Sequence, residues 1–210
     1  PQIMKKSGLD YFMTQKMSFN EVDDFVHHTF KWQGIDGTEV LVHMLPENTY
    51  NSFATPGAIK LTEKRFIEKG ISDRCLMLYG IGDGGGGPGE EHLERLSRTK
   101  NLKGLPRVEQ EASEDFFKRI DRNRDHYKKW VGEIYLERHR GTYTSQARSK
   151  RYNRKLELAL RRLETLAVIA GLVSNYKYPR KELLEIWREL LLYQFHDILP
   201  GSSIKRVYDE

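Results

Sequence analysis

The chain has 210 residues, 38% hydrophobic and 31% charged, enough for one good core or two small ones and too apolar for a wholly disordered polypeptide. Its formal charge of +5 raises nucleic acid as a partner, but the excess lies mainly between Arg148 and Arg162 at helical spacing, where a solvated helix face accounts for it. No apolar run approaches the roughly 20 residues that span a bilayer, no secretory signal opens the chain, and the single cysteine, Cys75, reads as a buried thiol of a cytoplasmic protein.

Residues 3–8 read as a helix stopped by a glycine, and Tyr11–Thr14 as a short strand after it. Residues 27–32 alternate as a strand does, Asp36-Gly37 sits at a turn, and residues 39–45 form a second strand, so a hairpin is expected. Adjacent His27 and His28 on such a strand would face opposite sides and are left unassigned, whereas His43, inside an apolar strand, is expected to satisfy a core hydrogen bond. A modest helix over 62–69 is followed by the apolar run 74–80, which has the look of a strand buried on both faces of a parallel sheet. Residues 90–98 are helical, 106–109 extended, and 113–120 open another helix with acids in its first turn.

Helix and strand therefore alternate to Leu136, an α/β pattern, and after Gly141 the pattern changes to long amphipathic helices. Leu156, Leu160, Leu163, Leu166, Ala167 and Ala170 make one apolar stripe, with basic residues mostly opposite. A second helix starts beyond Pro179, and two antiparallel helices need a third to close a core. The expected domains are 1–141, of α/β type, and 142–210, helical.

Three stretches carry candidate chemistry. The first is Gly82-Asp83-Gly84-Gly85-Gly86-Gly87-Pro88, whose glycines cost conformational entropy and imply a need for backbone freedom or close approach. A phosphate-binding loop would continue with Lys and Ser or Thr; this one continues into Glu90 and Glu91, which repel phosphate, so a sugar-site loop with Asp83 at a strand end is the favoured reading beside a plain surface linker. The second is 133–145, where Glu133, Glu137, His139 and Arg140 lead to Tyr143, a side chain able to stack on a sugar; an ion-paired joint between two domains is the equal alternative. The third is Gln194-Phe195-His196-Asp197-Ile198-Leu199-Pro200-Gly201-Ser202-Ser203, an imidazole and a carboxylate at the end of an apolar helix, which also suits simple capping.

Residues 32–40 (Trp32 to Val40), 80–88 (Gly80 to Pro88), 132–146 (Gly132 to Gln146) and 194–203, in this order, resemble family 38 retaining alpha-mannosidases, and the last resembles that family's zinc-ligand motif. The resemblance implies a partial seven-stranded, barrel-like α/β catalytic domain followed by an α-helical bundle that contributes to the same site. It implies one zinc ion, with His196 as a ligand and Asp197 binding the sugar; Tyr143, His139 and Arg140, read as polar residues crowded after a strand end, are the further candidate sugar contacts. Asp83 becomes the candidate catalytic carboxylate, and a mannose-containing oligosaccharide the partner, with no nucleic acid and no membrane and with a homo-oligomer left open. The family's upstream His-x-Asp pair and its aspartate nucleophile have no match here, and Gly89 replaces the hydroxyl residue usual in the glycine loop. The expectation is therefore a piece of a mannosidase, inactive by itself. A basic helical module that binds nucleic acid is the second reading.

Overall fold

The computed structural model describes residues 1–83 and 85–209; Gly84, within the glycine loop, and Glu210, the end of the expected helical domain, lie outside the described residues. The chain divides into two compact units, Pro1–Arg138 and His139–Glu210.

In the first unit, α1 (Gln2–Lys6) stops where Gly8 takes a φ of +79°, and β1 (Tyr11–Thr14) follows. The hairpin forms between β2 (Thr29–Gln33) and β3 (Glu39–Met44), with Gln33 opposite Glu39 and Gly37 at φ +83°. Asp36 locks the turn by accepting from the Thr38 amide at 3.1 Å and its hydroxyl at 2.8 Å. The sheet runs in the order β1-β3-β2-β4, where β4 is Lys129–Val131. β1 lies parallel to β3, β3 antiparallel to β2, and β2 parallel to β4. Among the described residues the strands make one open, mixed sheet of four, and no seven-stranded barrel closes.

β3 is the centre of this unit because both of its faces are covered. Val40, Val42 and Met44 pack with Phe30 and Met17 on one side, and Leu41 meets Phe116, Phe117, Ile120 and Tyr127 on the other, the period of two that a strand imposes. The three phenylalanine and isoleucine side chains come from α4 (Ser113–Ile120). Burial of each such side chain contributes about 1.5–3 kcal/mol. His43 shares the Leu41 face and makes the core hydrogen bonds expected of it. Leu76 donates its amide to Nε2 at 3.1 Å, so Nδ1 carries the proton and donates to the Thr29 hydroxyl at 2.9 Å.

Several elements differ from the sequence reading. The helix expected over 62–69 is α2 (Pro56–Arg65): Thr55 caps it by accepting from the Ala58 amide, and Pro56 occupies its first turn. It ends at Arg65 because Phe66 turns inward to the rings of His28 and His43, and the Glu68 carboxylate is needed elsewhere. It accepts from the His28 and Thr29 amides at 3.1 and 2.9 Å and lies 3.2 Å from His27 Nδ1. Both histidines thus precede the strand rather than alternate along it.

The run 74–80 is not a two-sided strand. Its backbone partners include a single bridge between Ser52 and Tyr79, the His43 imidazole and the Ser72 hydroxyl, and its other side borders an open trough of about 610 Å³ between α2 and residues 106–111. Burial still pushes the Cys75 thiol up to about 11. α3 (Glu90–Thr99) follows the glycine loop as expected.

In the second unit, α5 (Ala147–Val173) packs on α6 (Arg180–Tyr193) through Leu160, Leu183 and Leu190, with Trp187 donating to Glu164 at 2.9 Å. Of the predicted stripe only Leu160 and Ala167 are buried; Leu156, Leu163 and Leu166 are 45%, 51% and 60% exposed. A single partner helix covers one line of the stripe and leaves the rest open. Among the described residues of this unit the further helical elements are the short α7 (Lys205–Asp209) and a single turn over Arg140–Tyr143. No described helix is long and apolar enough to cross a membrane.

Candidate functional site

In the first unit, chemistry gathers beyond the carboxyl ends of the parallel pair β1 and β3, the edge of an α/β sheet where ligands bind. Lys16, in the turn after β1, holds its ammonium 4.8 Å from the Phe19 ring centre and 5.2 Å from that of Tyr50, which lies in the loop after β3. The Tyr50 hydroxyl donates to Asp83 Oδ1 at 2.7 Å, and this bond to the carboxylate raises the phenol above its usual range. Asp83 is exposed and stands at φ +57°, so a left-handed backbone aims its carboxylate at Tyr50.

Gly82 is required there: a Cβ would sit 2.4 Å from Tyr50 Cε2 and 3.1 Å from Asn51 Cβ. The same does not hold for Gly85, Gly86 and Gly87. A Cβ on Gly85, Gly86 or Gly87 would meet nothing within 4 Å, and only Gly85, at φ +64°, has a backbone that favours glycine. The sequence reading named Asp83 but not Lys16, Phe19 and Tyr50, which the structure places around it. A Gly-Asp step after an apolar run signals a close neighbour without saying which ring it is.

The stretch 133–138 starts later than expected from its strand, since β4 ends at Val131 and Gly132 turns at φ +97°. Glu137 is a staple: its carboxylate accepts from the amides of Glu21, Val22 and Asp23 at 2.7–3.2 Å. Asn20 completes it, donating to the Tyr135 carbonyl and accepting from the Glu137 amide, both at 2.9 Å. Glu133 lends its carbonyl to the Trp130 indole.

In the second unit, His139 takes φ +66° and opens the turn carrying Arg140 and Tyr143, whose ring is 77% exposed. His196 and Asp197 follow α6 directly, their side chains 78% and 63% exposed, with Nε2 and Oδ2 3.4 Å apart. The rest of this motif is tied down. The Ser203 hydroxyl donates to the Asp197 carbonyl at 2.5 Å, Tyr208 donates to the Ile198 carbonyl at 2.9 Å, and Gln194 donates to Asn153 and Glu157 at 3.0 Å each. An exposed imidazole on a fixed backbone can ligate a metal, and the adjacent carboxylate can accept from sugar hydroxyls.

A catalytic zinc site takes three protein ligands. Among the described residues no three His, Cys, Asp or Glu side chains gather closely enough to hold a metal ion. The described residues do not make a zinc site by themselves.

Both halves of the sequence match known domains. Residues 1–133 match the glycosyl hydrolases family 38 N-terminal domain, and residues 137–210 the alpha mannosidase middle domain. The chain belongs to glycosyl hydrolase family 38. Alpha-mannosidase G of Dictyostelium discoideum is 45% identical over the whole chain, which covers 19% of that protein. Alpha-mannosidase 2C1 of Homo sapiens is 41% identical, again over the whole chain and 20% of its own length. This family 38 chain therefore spans about a fifth of the length of the curated relatives it matches. Among solved structures, an alpha-mannosidase from Enterococcus faecalis V583 superposes on the whole chain with a TM-score of 0.68 at 19% identity, over 25% of that protein, which shows a shared fold.

Proposed function

We propose that this chain is part of a zinc-dependent retaining alpha-mannosidase that removes terminal alpha-mannosyl groups from glycans or oligosaccharides in the cytoplasm. The observation that supports it most is similarity along the entire chain to proteins named alpha-mannosidases, at 41–45% identity. On this reading 1–141 is the C-terminal part of a seven-stranded, barrel-like catalytic domain and 142–210 the start of a helical middle domain.

Asp83 is the candidate acid/base carboxylate, positioned by Tyr50, and a retaining reaction needs a second carboxylate about 5 Å from it as nucleophile. His196 supplies one zinc ligand, the remainder coming from outside these residues; when bound, the ion would orient sugar hydroxyls as a Lewis acid. Asp197 accepts from a sugar hydroxyl, Tyr143 stacks on a sugar face, and His139 and Arg140 donate to its oxygens. The 210-residue chain alone is inactive.

The test is metal analysis and an aryl alpha-mannoside assay on three samples: a protein of the relatives' full length containing this chain, its His196→Ala variant, and the 210-residue chain. The first should hold zinc stoichiometrically and turn over, and the other two should do neither. Retention of zinc and rate by His196→Ala would remove the motif assignment. A duplex-binding titration separates the nucleic-acid reading, which predicts salt-dependent affinity where this one predicts none.

A further inference from the structure

The two motif stretches of the second unit, 139–145 and 194–203, meet through Lys150 and Gly201. Lys150, in the first turn of α5, donates from one ammonium to the Ser145 carbonyl at 2.5 Å and to the Leu199 carbonyl at 2.7 Å. Each of those carbonyls belongs to a different stretch, so one side chain on a helix joins them. Two residues on from Leu199, Gly201 lies against the Ser145 backbone. A Cβ there would be 2.8 Å from Ser145 Cβ and 2.9 Å from its carbonyl carbon and oxygen, and the φ of +91° is itself one that other residues resist.

His196 and Asp197 thus sit between two anchors. On one side Gln194 is bonded to Asn153 and Glu157 of α5; on the other Leu199 and Gly201 are held by Lys150 and Ser145. A turn that merely capped a helix would need only its own carbonyls satisfied. Here the backbone on either side of two exposed, chemically able side chains is fixed to a third element, an arrangement that suits a group whose placement matters to within a fraction of an ångström.

We infer that Lys150 and Gly201 form a clamp that sets the His196–Asp197 turn against the segment bearing His139, Arg140 and Tyr143, and that both are positioning residues for sugar recognition. This rests on the alpha-mannosidase reading for its function but not for its geometry. The clamp acts through backbone carbonyls, so charge and donor count at 150 matter and stem length matters less. Lys150→Arg should largely preserve it, Lys150→Met should break it while keeping the apolar stem, and Gly201→Ala should push the two stretches apart.

The experiment has two arms. In the 210-residue chain, exchange of the hydrogen-bonded amides of Ile198, Leu199 and Gly201, read by nuclear magnetic resonance, should speed up about tenfold or more in Lys150→Met and Gly201→Ala and stay near wild type in Lys150→Arg, while amides in the middle of α5 remain protected. In a protein of the relatives' full length, kcat/KM for an aryl alpha-mannoside should fall about 10- to 100-fold in the first two variants, with KM rising, and be restored by Lys150→Arg. Unchanged exchange at Ile198, Leu199 and Gly201 overturns the clamp. Faster exchange with unchanged kcat/KM overturns its role in recognition. Wild-type protein that does not hydrolyse the mannoside overturns the enzymatic reading, and the exchange arm then still judges the geometry.

Discussion

Tyr50 donates its hydroxyl to Asp83 Oδ1 at 2.7 Å while its ring lies over Gly82 so closely that a Cβ would come within 2.4 Å. The bond holds the phenol above its ordinary range, and Asp83 is the first cause. Asp83→Asn should therefore return Tyr50 ionisation toward that of a free tyrosine, read by titrating ring-labelled tyrosine and assigning the signal with Tyr50→Phe. A signal that titrates identically in wild type and Asp83→Asn would show that the contact does not persist in solution. In the full-length enzyme Asp83→Asn should abolish most turnover, whereas Tyr50→Phe should lower kcat without loss of fold.

The acid sensitivity of the first unit should come in part from two histidines. Burial holds His28 down to about 4 and His43 down to about 3, so both rings are neutral when folded. An unfolded chain protonates them near 6.5. Their contribution is complete above that pH, and as pH falls below it the unfolded state binds more protons and stability declines, down to about 4 for His28 and about 3 for His43. Each group adds about 1.4 kcal/mol per pH unit within its window. Urea unfolding from pH 7 to 4.5 should show a shallower decline in His28→Gln than in wild type; equal slopes would assign the acid sensitivity to carboxylates alone.

Glu68 is buried, and its carboxylate gathers the amides of His28 and Thr29 at 3.1 and 2.9 Å. Glu68→Ala leaves those donors unpaired beside the start of β2, at a cost of about 1–3 kcal/mol for each buried group. A loss of about 2–4 kcal/mol is expected in urea unfolding, and Glu68→Gln, which keeps one acceptor oxygen, should lose less. A loss under about 0.5 kcal/mol would mean that water satisfies the amides.

Trypsin should cut first at the exposed Arg138 or Arg140, around the division between the two units, rather than at the arginines within α5. Mass spectrometry of the first products decides it. Early cleavage between Arg151 and Arg162 would mean that α5 is not stable on its single partner helix.

How much of this was legible in the sequence depends on the range of the interaction involved. The Asp36-Gly37 hairpin, α3, α4 and the two long helices follow from turn chemistry, caps and periodicity within a few residues, and the family follows from motifs that are themselves contiguous. His43 was readable as a core hydrogen-bonding group because a polar residue inside an apolar strand must find a partner, though not that the partners are Thr29 and Leu76. The tertiary structure alone decided the rest. Residues 74–80 have a strand's composition, but their backbone groups go to Ser52, the Ser72 hydroxyl and the His43 ring, and composition does not specify a neighbour. The leucine stripe of α5 has a helix's period, but burial along it depends on how many helices pack there, so Leu160 is covered and Leu163 is not. Tyr50 beside Asp83 and Lys150 between Ser145 and Leu199 join residues 33 and 49 positions apart, and such pairs are set by the folding of whole elements onto one another.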